Sequence, residues 1–404
     1  MTSKLFEALK LRSGIELRNR FFKSAMSETL ADKNMNPSNE IYNLYSQWSS
    51  ERIGVLISGN VMVDRRYLGE PGNIVLDEKS DINAFRKWSA IGNNKNTPIW
   101  LQLNHPGKQM YKTIKEQPIA PSAIAIQGGS TKAFQLPREM TRYEVDEAIN
   151  KFVIAGIRAK EAGFTGVQLH AAHGYLINQF LSPADNQRKD EFGGTLENRM
   201  RFLVEIYNRL RREVGDDFTI ALKLNALDFK EGGFTFDECK EVVRVMSELG
   251  VDLIEISGGN YEVPVFGGEH ENGASFASYA TVLTEITDTP IVSTGGFRTR
   301  KEVENVIHSG VSMVGLARPF VLYPDLVRRL ENNDNLAIKT PRLSTKIDKL
   351  DKVLGPIIGV SYYEAQMKRL ANNKISKPSR NAWPYLISTI KAHGISALKP
   401  RRNK

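Results

Sequence analysis

Eight short apolar runs, each followed by a longer amphipathic stretch, constrain this chain more than any other feature. They span residues 21–25, 54–61, 98–103, 166–170, 219–224, 253–257, 290–294 and 313–316. Each is rich in Val, Ile or Leu and ends near Gly, Ser, Asn or His, as do strands covered on both faces in a parallel sheet. Helices are expected over 141–162, 195–214, 236–249 and 299–308. In the first of these, Val145, Ala148, Ile149, Phe152, Val153, Gly156 and Ile157 share one face at 3.6-residue spacing. Thr195 precedes its helix as a cap, with Glu197 in the first turn where an acid suits the dipole. Eight strand-then-helix units predict a single α/β domain, a closed (β/α)8 TIM barrel over residues 1–335 with its chemistry in the loops that follow the strands.

The alternation stops after Pro341. Residues 336–404 read as a basic, partly helical extension, with helical pieces near 361–371 and 383–392, packed on the barrel or on a neighbouring subunit of a homo-oligomer. From Arg342 onward there are 14 lysines and arginines against three acids, whereas the rest of the chain carries 41 against 43. The net charge of +9 is therefore the extension's. Its basic residues are scattered, which fits a solvated tail better than a nucleic-acid or membrane surface, so no nucleic acid is expected as a partner. Segment 107–137, with Gly128-Gly129 and several prolines, reads as a loop or hairpin over the barrel mouth. No run of eighteen apolar residues is present, so no transmembrane segment is expected. The first residues lack the apolar core of a signal peptide. Cys239 is the one cysteine, so no internal disulfide forms, and a reducing, cytoplasmic setting is expected.

Four clusters carry chemistry. In Gly166-Val-Gln-Leu-His-Ala-Ala-His-Gly-Tyr, one strand end delivers His170, His173 and Tyr175. Two imidazoles can donate N–H groups to one oxygen and stabilise charge that builds there, and a shielded phenol can give up a proton. A zinc site or two structural histidines are the alternatives. Zinc needs a third ligand, for which only His105 offers itself, so no metal is expected. Gln102, in Trp100-Leu-Gln-Leu-Asn-His-Pro-Gly, has the donor and acceptor that suit a flavin pyrimidine edge, or is a buried amide satisfied by backbone. Lys223 lies in an apolar strand and needs a reason to be there. It either stabilises the negative charge of a reduced flavin or pairs with a barrel carboxylate such as Glu255. Ser293-Thr-Gly-Gly-Phe and Gly315-Leu-Ala-Arg-Pro follow the seventh and eighth strands, where barrels often bind phosphate. Gly295 and Gly296 let the backbone approach, and Arg318 can fork onto phosphate oxygens.

Together these clusters resemble the Old Yellow Enzyme family of FMN-dependent ene-reductases and NADH:flavin oxidoreductases. The run from His170-Ala-Ala-His-Gly-Tyr through Gln179-Phe-Leu-Ser-Pro-Ala-Asp-Asn-Gln-Arg to Asp190-Glu-Phe-Gly-Gly-Thr-Leu-Glu-Asn-Arg is similar to its central signature, and Leu17-Arg-Asn-Arg-Phe-Phe-Lys-Ser-Ala-Met to its first strand. The resemblance implies that Ser24, Ala25 and Met26 line FMN with their backbone. It implies that Gly59 faces the ring, that Gln102 bonds the pyrimidine edge, and that Lys223 stands where most members have arginine. Gly296, Ala317 and Arg318 would hold the phosphate. His170 and His173 would grip the substrate oxygen, and Tyr175 would donate the proton. Ser27 and Thr29 stand where the His/His branch often has cysteine and tyrosine. With one cysteine and about 70 residues after the barrel, neither the iron–sulfur cluster nor the second nicotinamide domain of the larger members is expected.

The expected activity is hydride transfer from NADH or NADPH through FMN to a small electron-poor acceptor such as an α,β-unsaturated carbonyl. The rivals are a reductase of quinones, free flavin or oxygen that needs Tyr175 little, a barrel-derived binding or scaffold protein, and an aldolase with Lys223 as its Schiff-base amine.

Overall fold

A computed structural model describes residues 3–127, 133–259, 262 and 276–393. Its eight barrel strands are β1 (Phe21–Lys23), β2 (Val55–Met62), β3 (Ile99–Asn104), β4 (Gly166–Ala171), β5 (Thr219–Asn225), β6 (Leu253–Ser257), β7 (Ile291–Thr294) and β8 (Met313–Leu316). All pair in parallel in sequence order, and β1 pairs with both β2 and β8, so the sheet closes. The apolar runs thus become a closed barrel, with bounds moved by a residue or two. The first strand stops at Lys23, and the Ser24 N–H still bonds the neighbouring strand at Leu316 O, at 3.0 Å.

The helices are α1 (Asn39–Ser49), α2 (Ile82–Asn93), α3 (Arg142–Glu161), α4 (Leu176–Leu181), α5 (Leu196–Val214), α6 (Phe236–Leu249), α7 (Ala277–Leu283), α8 (Arg300–His308), α9 (Arg318–Leu322), α10 (Leu326–Asn332), α11 (Asp348–Ala371) and α12 (Trp383–His393). Local chemistry fixes many of their starts. Thr141, Thr235 and Thr299 each form a reciprocal capping box with a glutamate three residues on, and Thr195 caps α5 through its hydroxyl.

Period-two alternation sorts the strand residues into layers. Phe21 packs outward against the helices, while Phe22, Ile57, Trp100, Ala221, Leu253, Val292 and Met313 fill the barrel floor. Leu17, from a small antiparallel pair of strands at Leu9–Lys10 and Glu16–Leu17, and Leu11, just beyond the first of them, join that floor. Two residues farther along, β3, β5, β6 and β7 turn polar at Gln102, Lys223, Glu255 and Thr294, while β2 and β8 place Gly59 and Gly315 there.

Helix α11 starts well before the helical piece expected near residue 361, because Gly355-Pro356 and Gly359 hide its pattern in the sequence. It packs on α1 and α9. Asn43 donates to Ala371 O at 3.0 Å, Asn372 donates to Glu40 at 2.8 Å, and Ser376 donates to Val321 O. In the described part of segment 107–137, Tyr111 and Phe134 form an isolated antiparallel bridge, and Ile119–Ala120 pairs in parallel with Arg138–Glu139. Gly128 and Gly129 lie outside the described residues. No helix among the described residues is long and apolar enough to cross a membrane.

Candidate active site at the C-terminal barrel rim

Directly above the apolar floor lies a hydrogen-bonded polar layer. Gln102 Nε2 donates to Gln168 Oε1 at 2.7 Å, and Gln168 Nε2 donates to Glu255 Oε2 at 2.8 Å. Thr294 donates to Glu255 Oε1 at 2.7 Å and lies 3.2 Å from the Ser24 hydroxyl. Lys223 Nζ reaches Glu255 at 3.2 Å, and both side chains are almost wholly buried. Lys223 therefore has the barrel carboxylate that one of its two sequence readings required. The Gln168–Glu255 bond crosses the lumen over β5, which shows that these side chains point inward.

The next layer holds the histidines. His170 is the next-to-last residue of β4 and is 2% exposed. Its Nδ1 accepts the Ala172 N–H at 3.3 Å, which places the ring proton on Nε2. No other hydrogen bond engages that ring among the described residues. His173 follows in the left-handed region, at φ 60°, and its backbone N–H is held by Asn225 Oδ1 at 3.1 Å. Its Nε2 lies 2.8 Å from Ser257 Oγ. The two rings stand nearly perpendicular, with centroids 5.1 Å apart. Burial, followed by the positive charge of Lys223, holds both imidazoles well below their ordinary pKa, so both are neutral near pH 7. The Tyr175 ring is 4.8 Å from that of His170, and its hydroxyl accepts from Asn60 Nδ2 at 3.3 Å. The Asn60 carbonyl oxygen is buried without a hydrogen-bond partner, an unspent acceptor beside the phenol.

His105, the third ligand a zinc reading would need, has another job. Its Nδ1 accepts the Gly107 N–H at 3.1 Å and its ring lies against Tyr67. Among the described residues no group of three side chains could hold a metal.

The loop after β1 carries Ser24, Ala25 and Met26 across the rim. Gly59 sits where the register between β2 and β3 shifts, and a Cβ there would lie 2.4 Å from Met26 O. Only glycine lets these two backbones meet. Behind the loop lies a buried cluster that sequence reasoning missed. Lys23 donates to Ile57 O at 3.0 Å, sits over the Trp48 ring, and pairs with Glu28 at 3.7 Å. Burial pulls the Lys23 ammonium down to about 8 despite Glu28. Tyr45 donates to Glu28 at 2.5 Å. Ser27, where a thiol was expected from the resemblance, donates to the buried Glu70, and Thr29 donates to Glu28 O.

Gly295 and Gly296 follow β7 with φ of 94° and 86°, and Ala317 and Arg318 follow β8. The Arg318 guanidinium has no hydrogen bond or ion pair with any described residue. Its pKa is lowered by burial first and also by the charge of Arg298, while Tyr363 acts the other way. A largely buried, uncompensated cation beside two glycines in the left-handed region fits the phosphate of FMN.

The structure therefore brings Tyr175, His170 and His173 together, places Gly59, Gln102 and Lys223 within β2, β3 and β5, and places Ser24, Ala25, Met26, Gly295, Gly296, Ala317 and Arg318 just after β1, β7 and β8. Asn60, Gln168, Asn225, Glu255 and Ser257 were not singled out as site residues. Three of them had a signal: counting two or four residues beyond the floor positions Ala221 and Leu253 lands on Asn225, Glu255 and Ser257.

Residues 4–337 match the NADH:flavin oxidoreductase / NADH oxidase family. The chain is 35% identical over 355 residues to the NADH-dependent flavin oxidoreductase iliE of Hypocrea jecorina, spanning 80% of this chain and 88% of that one. Its fold superimposes on a 2-naphthoyl-CoA reductase with a TM-score of 0.77 at 26% identity, over 81% of this chain and 52% of that protein. The old yellow enzyme homologue of Zymomonas mobilis shares the fold with a TM-score of 0.71 at 23% identity, over 83% and 94% of the two chains. With its barrel, its strand-end histidines and a match over most of its length, the chain belongs to the NADH:flavin oxidoreductase / NADH oxidase family, that of the old yellow enzymes, and is an oxidoreductase with FMN as cofactor and a reduced nicotinamide as hydride donor.

Proposed function

We propose that this enzyme reduces carbon–carbon double bonds conjugated to a carbonyl or similar electron-withdrawing group. The observation that carries this reading is the free donor of His170. Its Nδ1 is spent on a backbone N–H, so Nε2–H faces the space shared with His173 and Tyr175. A neutral imidazole is a hydrogen-bond donor that does not bring a full charge to the acceptor oxygen, and burial keeps it neutral. Ser257 Oγ, 2.8 Å from His173 Nε2, holds the second imidazole beside the first, so that two rings face one acceptor oxygen. The pair draws electron density from the double bond and stabilises the enolate charge that builds on that oxygen.

Ser24, Ala25, Met26, Gly59, Gln102 and Lys223 surround the flavin ring in this reading, and Gly295, Gly296, Ala317 and Arg318 hold its phosphate. Bound FMN supplies the hydride, taken from a reduced nicotinamide and delivered to the acceptor's β-carbon. Tyr175 gives its phenolic proton to the α-carbon, and Asn60 Nδ2, donating to that phenol oxygen, supports the phenolate left behind. Nicotinamide and acceptor use one face in turn, so ping-pong kinetics follow.

The test separates the two half-reactions in a Tyr175→Phe variant. Reoxidation of the reduced enzyme by an enone is expected to slow about 100-fold or more, while reduction by NADH is unaffected. Equal losses in both would remove Tyr175 as the acid, and a normal rate with quinone or oxygen alone would leave an acceptor reductase without alkene chemistry.

A further inference from the structure

The C-terminal extension buries a polar side chain beside the helix that begins at Arg318. Tyr363, on α11, is 5% exposed, yet its hydroxyl is buried with no hydrogen-bond partner among the described residues. A phenol oxygen in that condition is rare, because a buried hydroxyl ordinarily finds a partner. The helix that carries it packs on α9, whose first residue is Arg318. The charged groups that act most strongly on Tyr363 are the guanidiniums of Arg318 and Arg298. Arg298 is exposed and its side chain donates only to Phe297 O, at 3.0 Å. The neighbourhood therefore holds two guanidiniums and one unspent phenolic donor, and no hydrogen bond joins them among the described residues. An oxyanion would satisfy all three at once.

We propose that Tyr363 is a ligand of the FMN phosphate, donating its hydroxyl to a phosphate oxygen beside Arg318 and completing a pocket that the barrel alone leaves open on one side. This rests on the flavin reading above but adds a residue from outside the barrel. Burial pushes the Tyr363 phenol up to about 12, so it stays a donor throughout the neutral range.

The experiment compares wild type and Tyr363→Phe as apoproteins titrated with FMN, riboflavin and inorganic phosphate. Flavin binding is followed by fluorescence quenching. The variant is expected to bind FMN about tenfold more weakly and riboflavin with unchanged affinity. Inorganic phosphate should weaken FMN binding by competition in the wild type and do so less in the variant. Thermal unfolding gives a second, independent reading. Losing an unpartnered buried hydroxyl should leave the apo variant as stable as the wild type or more so, while the FMN-loaded variant unfolds at a lower temperature than loaded wild type. Equal FMN affinities in the two proteins would overturn the proposal while leaving the flavin reading intact. Parallel weakening of FMN and riboflavin would make Tyr363 a packing residue and overturn it too. A wild-type apoprotein that takes up no FMN would instead sink the flavin reading itself.

Discussion

Replacing Lys223 by methionine strikes both the stability and the redox chemistry of the barrel, and a second substitution separates them. Lys223 and Glu255 are 3% and 0% exposed and 3.2 Å apart, so solvent screens neither. Removing the cation leaves Glu255 with the Gln168 and Thr294 donors but no opposite charge. Breaking a buried pair from one side costs about 3–5 kcal/mol, because the surviving charge stays desolvated. Replacing Glu255 by glutamine in the same chain removes that charge while keeping an acceptor for Thr294. The double variant should then recover about 1–3 kcal/mol relative to the sum of the single ones. Urea unfolding of the four apoproteins measures this coupling. The redox consequence is read on the FMN-loaded proteins by equilibrium dye titration. If Lys223 steadies the negative charge of the reduced ring, its loss lowers the midpoint potential by about 30 mV or more, since 30 mV in a two-electron couple is about 1.4 kcal/mol. That lowering must persist in the double variant, where stability has returned. Additive stability losses would refute the ion-pair argument, and an unchanged potential would leave Lys223 with a purely structural part.

Gly59→Ala places a Cβ 2.4 Å from the Met26 carbonyl oxygen, so the loop after β1 must shift. The variant should lose about 1–3 kcal/mol of stability and, unlike a distant variant of equal cost, bind FMN more weakly, as titration of the apoprotein will show. The buried imidazole of His105 is held down to about 4, by burial first, against an ordinary value of 6.5. The unfolded chain therefore binds a proton there below about pH 6.5 that the folded protein refuses, and stability falls as pH drops from 6.5 towards 4. The contribution sums to about 3 kcal/mol, and His170 and His173 act in the same direction. A His105→Asn variant should lose stability with acid less steeply, by up to one proton's slope. An unchanged slope would mean that His105 titrates normally.

The barrel was legible because each strand announces itself locally. Runs such as Leu253–Ser257 and Met313–Leu316 end where their apolar residues end, and a threonine with a glutamate three residues on marks the start of α3, α6 and α8. His170, His173 and Tyr175 were legible for the same reason, since one turn at one strand end delivers all three. What stayed hidden depends on contacts between distant segments. Asn60 and Tyr175 meet across 115 positions, and nothing beside either residue signals the bond. Lys23 and Glu28 look like ordinary surface charges until α1 covers them with Tyr45 and Trp48. Tyr363 sits in a helix whose glycines and proline disguise it, and its relation to Arg318 arises only when α11 folds back across α9.

Closure of the sheet also sets a timetable for biosynthesis. Phe22 waits for Gly315 as its ladder neighbour, so nearly 300 intervening residues must be translated first. At the usual 5–20 residues per second the ribosome needs roughly 15–60 s for that stretch. Throughout that interval the nascent polypeptide carries an open-edged half-barrel whose first strand is a free docking edge for other chains. Overproduction in a host poor in chaperones should therefore yield aggregates in proportion to how fast new chains crowd one another, even though the finished enzyme has no such edge.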